Sequence, residues 1–334
     1  MAKTSLIRTG GTKTLKSSKS PRTSLTIEQV LEQLNQIELP LSAAVINRLS
    51  DLNAADLARF GEGWPYIPSD RRSQLLQRLG EVSETNFELD YVEVTRLGLN
   101  DSDEEVRVAA IEAAWYDETL DFLHAIMKLA RRDPVEAVRA EALSAMGRFI
   151  LLGELDELKP SEAREAQDVA LAIYRSDDES VEVRRRAIEA LGNCTRAGVP
   201  ELIQDAYESD DSQMRASALF AMGRTCDDIW AGIILEELIS DDPEMRYEAA
   251  RAAGELELSD AVERLGQLLR DDDREVLEMA VSALGEIGND EARELLEAGI
   301  ERAELGGDLV LVEAIQEALE HASLVGEDLS FGDL

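Results

Sequence analysis

Several residue types are scarce in this chain, and each scarcity removes a class of protein. Two cysteines in 334 residues, Cys194 and Cys226, are too few for a disulfide framework. The two histidines, His124 and His321, lie far apart with no second ligand-type residue at metal spacing. Aromatic residues make up only 4%, so the core has to be built from Ala, Leu, Val, Ile and Met, which suit closely packed helices. No apolar run approaches the roughly 20 residues that cross a bilayer, and the first residues lack the apolar centre of a secretory signal. Gly-rich phosphate loops, nucleophile elbows and Cys-x-x-Cys pairs are missing too, so no catalytic, cofactor-binding or metal-binding residue is assigned.

Positive charge is the remaining deficit. Lys and Arg number 34 against 70 Asp and Glu, a net charge of −36. Residues 1–24 carry Lys3, Arg8, Lys13, Lys16, Lys19 and Arg22 and no acid, so this stretch is +6 and the rest holds −42. An acidic body repels a phosphate backbone, which counts against nucleic-acid binding except through the tail. It suits a basic or mixed-charge protein partner. The tail, rich in Ser and Thr and containing Gly10 and Gly11, cannot bury enough apolar surface to order itself and reads as a basic arm. Its composition also fits an organelle transit peptide, but it lacks an amphipathic face. Two thiols set one repeat apart are expected to stay reduced, in a cytoplasmic protein.

What the chain does have is a beat of 31 residues. Arg184, Arg215 and Arg246 recur at that interval, each followed eight residues later by Gly192, Gly223 and Gly254. One step on lie Leu277 and Gly285, and further back Arg139 pairs with Gly147. A fixed period of this size marks stacked units that bury their apolar faces only against their neighbours. Each beat reads as the second helix of a pair, with a buried stripe at Val106 and Ala110, Val138 and Ala142, Val183 and Ala187, Met214 and Ala218, Met245 and Ala249, and Val276 and Ala280. First helices are expected near 90–99, 118–131, 162–175, 199–208, 228–239, 259–270 and 290–302. Between Arg139 and Arg184 the spacing is 45, so an insertion near Phe149 to Glu165 is expected to lengthen one helix and add a protruding loop. Ahead of the repeats, a helical cap is expected from Thr26. An irregular loop should follow from Gly61 to Pro68, then a helix capped by Ser69 or Asp70.

The recurring Asp-x-x-Val-Arg-x-x-Ala with a closing Leu-Gly or Met-Gly resembles HEAT repeats, in particular the short Ala-rich type of the phycobilisome lyase-like proteins, over residues of about 90–320. The expected fold is all-α: a right-handed α-solenoid of about seven helix pairs behind an N-terminal helical cap. The expected divisions are a tail at 1–24, a cap at 25–86, a solenoid at 87–323 and a short acidic tail at 324–334. The resemblance implies a ladder between neighbouring repeats made by Arg107, Arg139, Arg184, Arg215 and Arg246 with acids such as Asp103, Asp211 and Asp242, ending at Leu277. It also implies a scaffold that binds a protein on its concave face. The alternative reading is a bilin lyase-like enzyme or enzyme subunit.

Second helices usually line that concave face. Their polar edge is mostly charged, apart from Phe220 and Met279, which are flanked by Arg148, Arg186, Arg224 and Arg251. Aromatics ringed by Arg are typical interface anchors, so a mixed-charge groove centred on Phe220 is the expected partner site.

Overall fold

The computed structural model describes residues 25–330, with side chains for 25–323. The expected basic arm at 1–24 lies outside the described residues, as do 331–334. The chain divides after Val94 into two compact units. Among the described residues no helix is long and apolar enough to cross a membrane.

The first unit contains α1 (Ile27–Leu34), α2 (Ala43–Arg48), α3 (Ala54–Gly63) and α4 (Ser69–Thr85). Thr26 and Gln29 close a reciprocal capping box on α1, and Ser42 and Asn53 cap α2 and α3. The stretch expected to be an irregular loop is more ordered than its composition suggests. Helix α3 runs through Gly63, and a single 3-10 turn, Trp64–Tyr66, follows. The cause is Arg72, which is 6% exposed and donates to the carbonyls of Trp64 and Ile67 at 3.3 and 2.9 Å, with its guanidinium 5.9 Å from the Trp64 ring. Pro68, without a side-chain bond, precedes α4, so Ser69 opens that helix and does not cap it.

From α5 (Val92–Gly98), within which the division falls, the chain is a run of helix pairs. They are α6 (Glu104–Ala113), α7 (Leu120–Arg132) with α8 (Glu136–Glu154), α9 (Pro160–Tyr174) with α10 (Val181–Leu191), and α11 (Val199–Tyr207) with α12 (Ser212–Arg224). Then come α13 (Ala231–Glu237) with α14 (Pro243–Glu255), α15 (Val262–Leu268) with α16 (Arg274–Ile287), and α17 (Asp290–Gly306) with α18 (Leu309–Ser330). Each even-numbered helix from α6 packs on the next, making an inner row, and the fold is an all-α solenoid. Every residue of the stripe from Val106 to Ala280 named above is at most 4% exposed.

The recurring glycines explain the beat. A Cβ on Gly192 would lie 2.8 Å from the Ala221 Cα, on Gly223 2.9 Å from the Ala252 Cα, and on Gly254 2.9 Å from the Ala283 Cα. On Gly285 it would meet the Ala318 Cβ and carbonyl oxygen at 3.0 Å. Glycine lets adjacent inner helices touch backbone to backbone, and it does so despite a helix propensity about 1 kcal/mol poorer than alanine. Gly147 is under less pressure, with Ala190 Cα 3.6 Å from the same point.

The insertion lengthens α8 as expected, to 19 residues, but adds no protruding loop. Phe149 and Ile150 are fully buried and pull the extra turns inward, leaving only residues 155–159 between α8 and α9.

Gly254→Ala is therefore expected to destabilise the protein by about 1–3 kcal/mol in urea denaturation, because the clash falls on backbone that cannot step aside. Gly232→Ala, whose new methyl meets nothing within 4 Å, should leave stability unchanged or slightly higher.

Candidate protein-binding face

The repeated arginines and aspartates take separate roles, which corrects the pairing read from the sequence. Asp103, Asp211 and Asp242 cap the helices they precede, accepting from backbone N–H groups of Val106, Met214 and Glu244. The arginines reach backward and across. Arg107, Arg139, Arg215 and Arg246 each donate to the carbonyl six residues earlier, those of Asp101, Asp133, Ser209 and Ser240, at 2.9–3.0 Å. Three of them also pair with an acid in the loop of the next repeat: Arg107 with Asp133 at 2.8 Å, Arg139 with Glu179 at 2.8 Å and Arg246 with Asp271 at 2.7 Å. For Arg215 the equivalent loop position, 25 residues on, is Ser240, and Arg215 has no ion pair among the described residues. Arg184 donates to the Tyr174 carbonyl and stacks on that ring at 5.6 Å.

The inner row carries a continuous polar network over α10, α12 and α14. Arg186 bridges Glu182 and Glu189 at 3.0 and 2.9 Å. Arg185 donates to the Ser217 hydroxyl, which donates to Glu189 at 2.6 Å, and all three are buried. Asn193 accepts from Arg224 at 3.0 Å, Arg224 lies 3.7 Å from Glu255, and Arg251 binds Glu248 and Glu255 at 2.9 and 2.7 Å. Phe220 is half-buried beneath the Arg251 guanidinium, 3.8 Å from its ring centroid.

Phe220, Arg224, Arg251 and Arg186 thus come together as the sequence suggests, but each of these arginines is already committed to an acid. Arg148 does not join them. Helix α6 stops at Ala113, and Arg148 turns to its free end, donating to the carbonyls of Ala114 and Asp117 at 2.9 and 2.7 Å and lying over Phe122 and Phe149. Met279 is half-buried on α16. Trp64 and Trp230 are core residues, whereas Trp115, just beyond the end of α6, is 39% exposed.

What sequence reasoning missed is the electrostatic state of the acids on this face. Burial raises the Glu248 carboxyl above its ordinary value, with Glu189 and Glu255 adding to the shift and Arg251 opposing it. Burial and then Glu255 raise Glu286, while burial and Glu112 raise Glu141. Of these pairs only Glu255 and Glu286 stand one 31-residue step apart in the sequence; the approach of Glu112 to Glu141 and of Glu189 to Glu248 is made by the stacking. His321 sits at the end of the row, beside Glu286 and Glu317 in a hollow of about 360 Å³. His124 meets Glu162 at 2.8 Å. Among the described residues no group of three or more His, Cys, Asp or Glu is placed to hold a metal ion.

A stack of antiparallel helix pairs with a continuous inner row defines an α-solenoid of the repeat class. Residues 233–320 match the family model for HEAT repeats, and ahead of that stretch Arg139 and Gly147, Arg184 and Gly192, and Arg215 and Gly223 keep the same Arg-to-Gly spacing. No curated protein matches it. Among solved structures it is similar to the CpcE–CpcF complex of phycocyanin lyase from a Nostoc species, at 15% identity and TM-score 0.52 over 92% of this chain and 100% of that one. It is also similar to importin beta, at 15% identity and TM-score 0.45 over 87% and 44% of the two chains. Human deoxyhypusine hydroxylase is a third, at 17% identity and TM-score 0.35 over 78% and 95%. These likenesses concern the fold.

Two outcomes follow. A carboxyl raised in the folded state binds its proton more tightly folded than unfolded, so stability should rise as pH falls from neutral toward the ordinary Glu value of 4.5. It should turn over at lower pH, because the stability contributed by Asp271, held low by its bond from Arg246, is lost as pH falls from the ordinary Asp value of 3.8 through its lowered folded value. Urea midpoints against pH check this, and Glu248→Gln should flatten the upper limb. Arg107→Leu strands a carboxylate only 5% exposed and should cost about 3–5 kcal/mol, against about 1 kcal/mol for Arg215→Leu.

Proposed function

We propose that the protein is a non-catalytic scaffold whose inner-helix face receives a basic or mixed-charge segment of a protein partner. The observation that carries this reading is the set of carboxyls raised by burial and by neighbouring glutamates, Glu141 beside Glu112, Glu248 beside Glu189 and Glu255, and Glu286 beside Glu255, on a face whose arginines are already paired. Such a face is short of positive charge, and an incoming Lys or Arg relieves the repulsion. Phe220 supplies an apolar anchor once Arg251 swings aside to share its carboxylates with the ligand. The free thiols of Cys194 and Cys226 support a reducing, cytoplasmic setting.

Fluorescence anisotropy with a labelled Lys- and Arg-rich peptide and an acidic peptide of the same length tests this. The basic peptide should bind with an affinity that falls as salt rises, and the acidic one should not bind. Glu248→Gln with Glu286→Gln should weaken binding by about tenfold or more, and Phe220→Ala should weaken it with little loss of fold. Equal affinity for both peptides, or indifference to these substitutions, would contradict the reading. So would visible absorbance acquired on incubation with a bilin, which belongs to the lyase-like alternative.

A further inference from the structure

The insertion that breaks the beat builds a second, chemically different feature. Helix α8 overruns Gly147 by two turns, and α9 starts late, at Pro160. Between the end of α8, the first turns of α9 and the loop after α10 lies a pocket of about 630 Å³. Gly153 forms part of its wall, and a Cβ there would collide with the Ala163 Cβ. In a chain of net charge −36, this pocket is lined by Arg164 and Arg196 against Glu154 alone.

Part of its polar lining has no protein partner. Gln167 is 7% exposed and has no hydrogen-bond partner among the described residues, although it lines the pocket. The residue is buried as a whole, but its amide stays open to the pocket, where a ligand can meet it. Arg164 has no ion pair among the described residues, and Arg196 uses one nitrogen on Asp168 at 2.6 Å, leaving its other N–H groups. Thr195 donates to Glu154 at 2.6 Å, which holds that carboxylate at the rim.

We propose that this pocket binds a singly charged carboxylate, held by Arg164 and Arg196 and by the amide N–H of Gln167. A planar carboxylate matches a guanidinium fork, and the neighbouring Pro160, Ala163 and Ala197 take an apolar body. Glu154 disfavours a dianionic phosphate. The pocket shares no residue with the inner-face network, so its fate is independent of the scaffold reading.

Amide chemical shifts of the full chain, titrated with butyrate, N-acetyl-Ala-Ala, its C-terminal amide and inorganic phosphate, test this. Saturable shifts confined to residues around 153–167 and 194–197 are expected with the two carboxylates and not with the amide. Similar binding of both identifies a free small carboxylate, and at least about tenfold tighter binding of the dipeptide identifies a chain end. Gln167→Leu and, on the surface, Arg164→Gln should each weaken binding by about tenfold while leaving the melting temperature near its starting value. Because Arg164 is exposed, that variant keeps the test informative even if Gln167→Leu folds poorly. No saturable shift with either carboxylate, unchanged binding in the Arg164 variant, or tighter binding of phosphate would overturn the assignment.

Discussion

At Gly223, Gly254 and Gly285 the backbone of one inner helix touches an alanine of the next, and the distance fixed there propagates through everything else. With any larger residue the inner row would spread, and the stripe of Val, Met and Ala beneath it would no longer close. The arginine clamps act at the other end of the same helices. Each holds the loop of its own repeat by a backbone carbonyl, and where the next loop offers Asp133, Glu179 or Asp271 it ties two repeats together. Glycine thus sets the spacing of the stack, and arginine locks the loops that begin its inner helices.

That spacing also creates the electrostatics of the inner face. The notch left by Gly223 is occupied by a carboxylate oxygen of Glu255, and the notch at Gly254 by one of Glu286. The Glu255 oxygen is buried without a hydrogen-bond partner. Glu286, held against helix backbone in this way, loses hydration and is repelled by Glu255 one repeat away, so the price of close packing there is a carboxyl raised above its ordinary value. The same geometry that completes the core crowds carboxyls on the surface, which is what the proposed scaffold reading draws on.

Much of the fold was legible because a repeat protein states its packing once per unit. The Arg and Gly beat, the buried stripe and the first helices all follow from periodicity, and the structure places them accordingly. The partners of the repeated arginines were not legible. Asp211 sits four residues before Arg215, a spacing that fits both a helix cap and an ion pair, and only the stack reveals that the acid for Arg246 lies 25 residues ahead at Asp271. Arg148 misled for a different reason, since its true targets are carbonyls exposed by the early end of α6, and helix ends are the least readable feature of a sequence. Gly61 to Pro68 read as a loop because nothing in that stretch announces the buried Arg72 that orders it.

Stacking raises the carboxyls of Glu141, Glu248 and Glu286, and a carbon-detected titration of the glutamate side chains measures this directly. Glu141, Glu248 and Glu286 are expected to titrate above the ordinary range while solvated glutamates stay within it. Ordinary values at all three would mean that the face is fully hydrated and carries no unmet demand for positive charge.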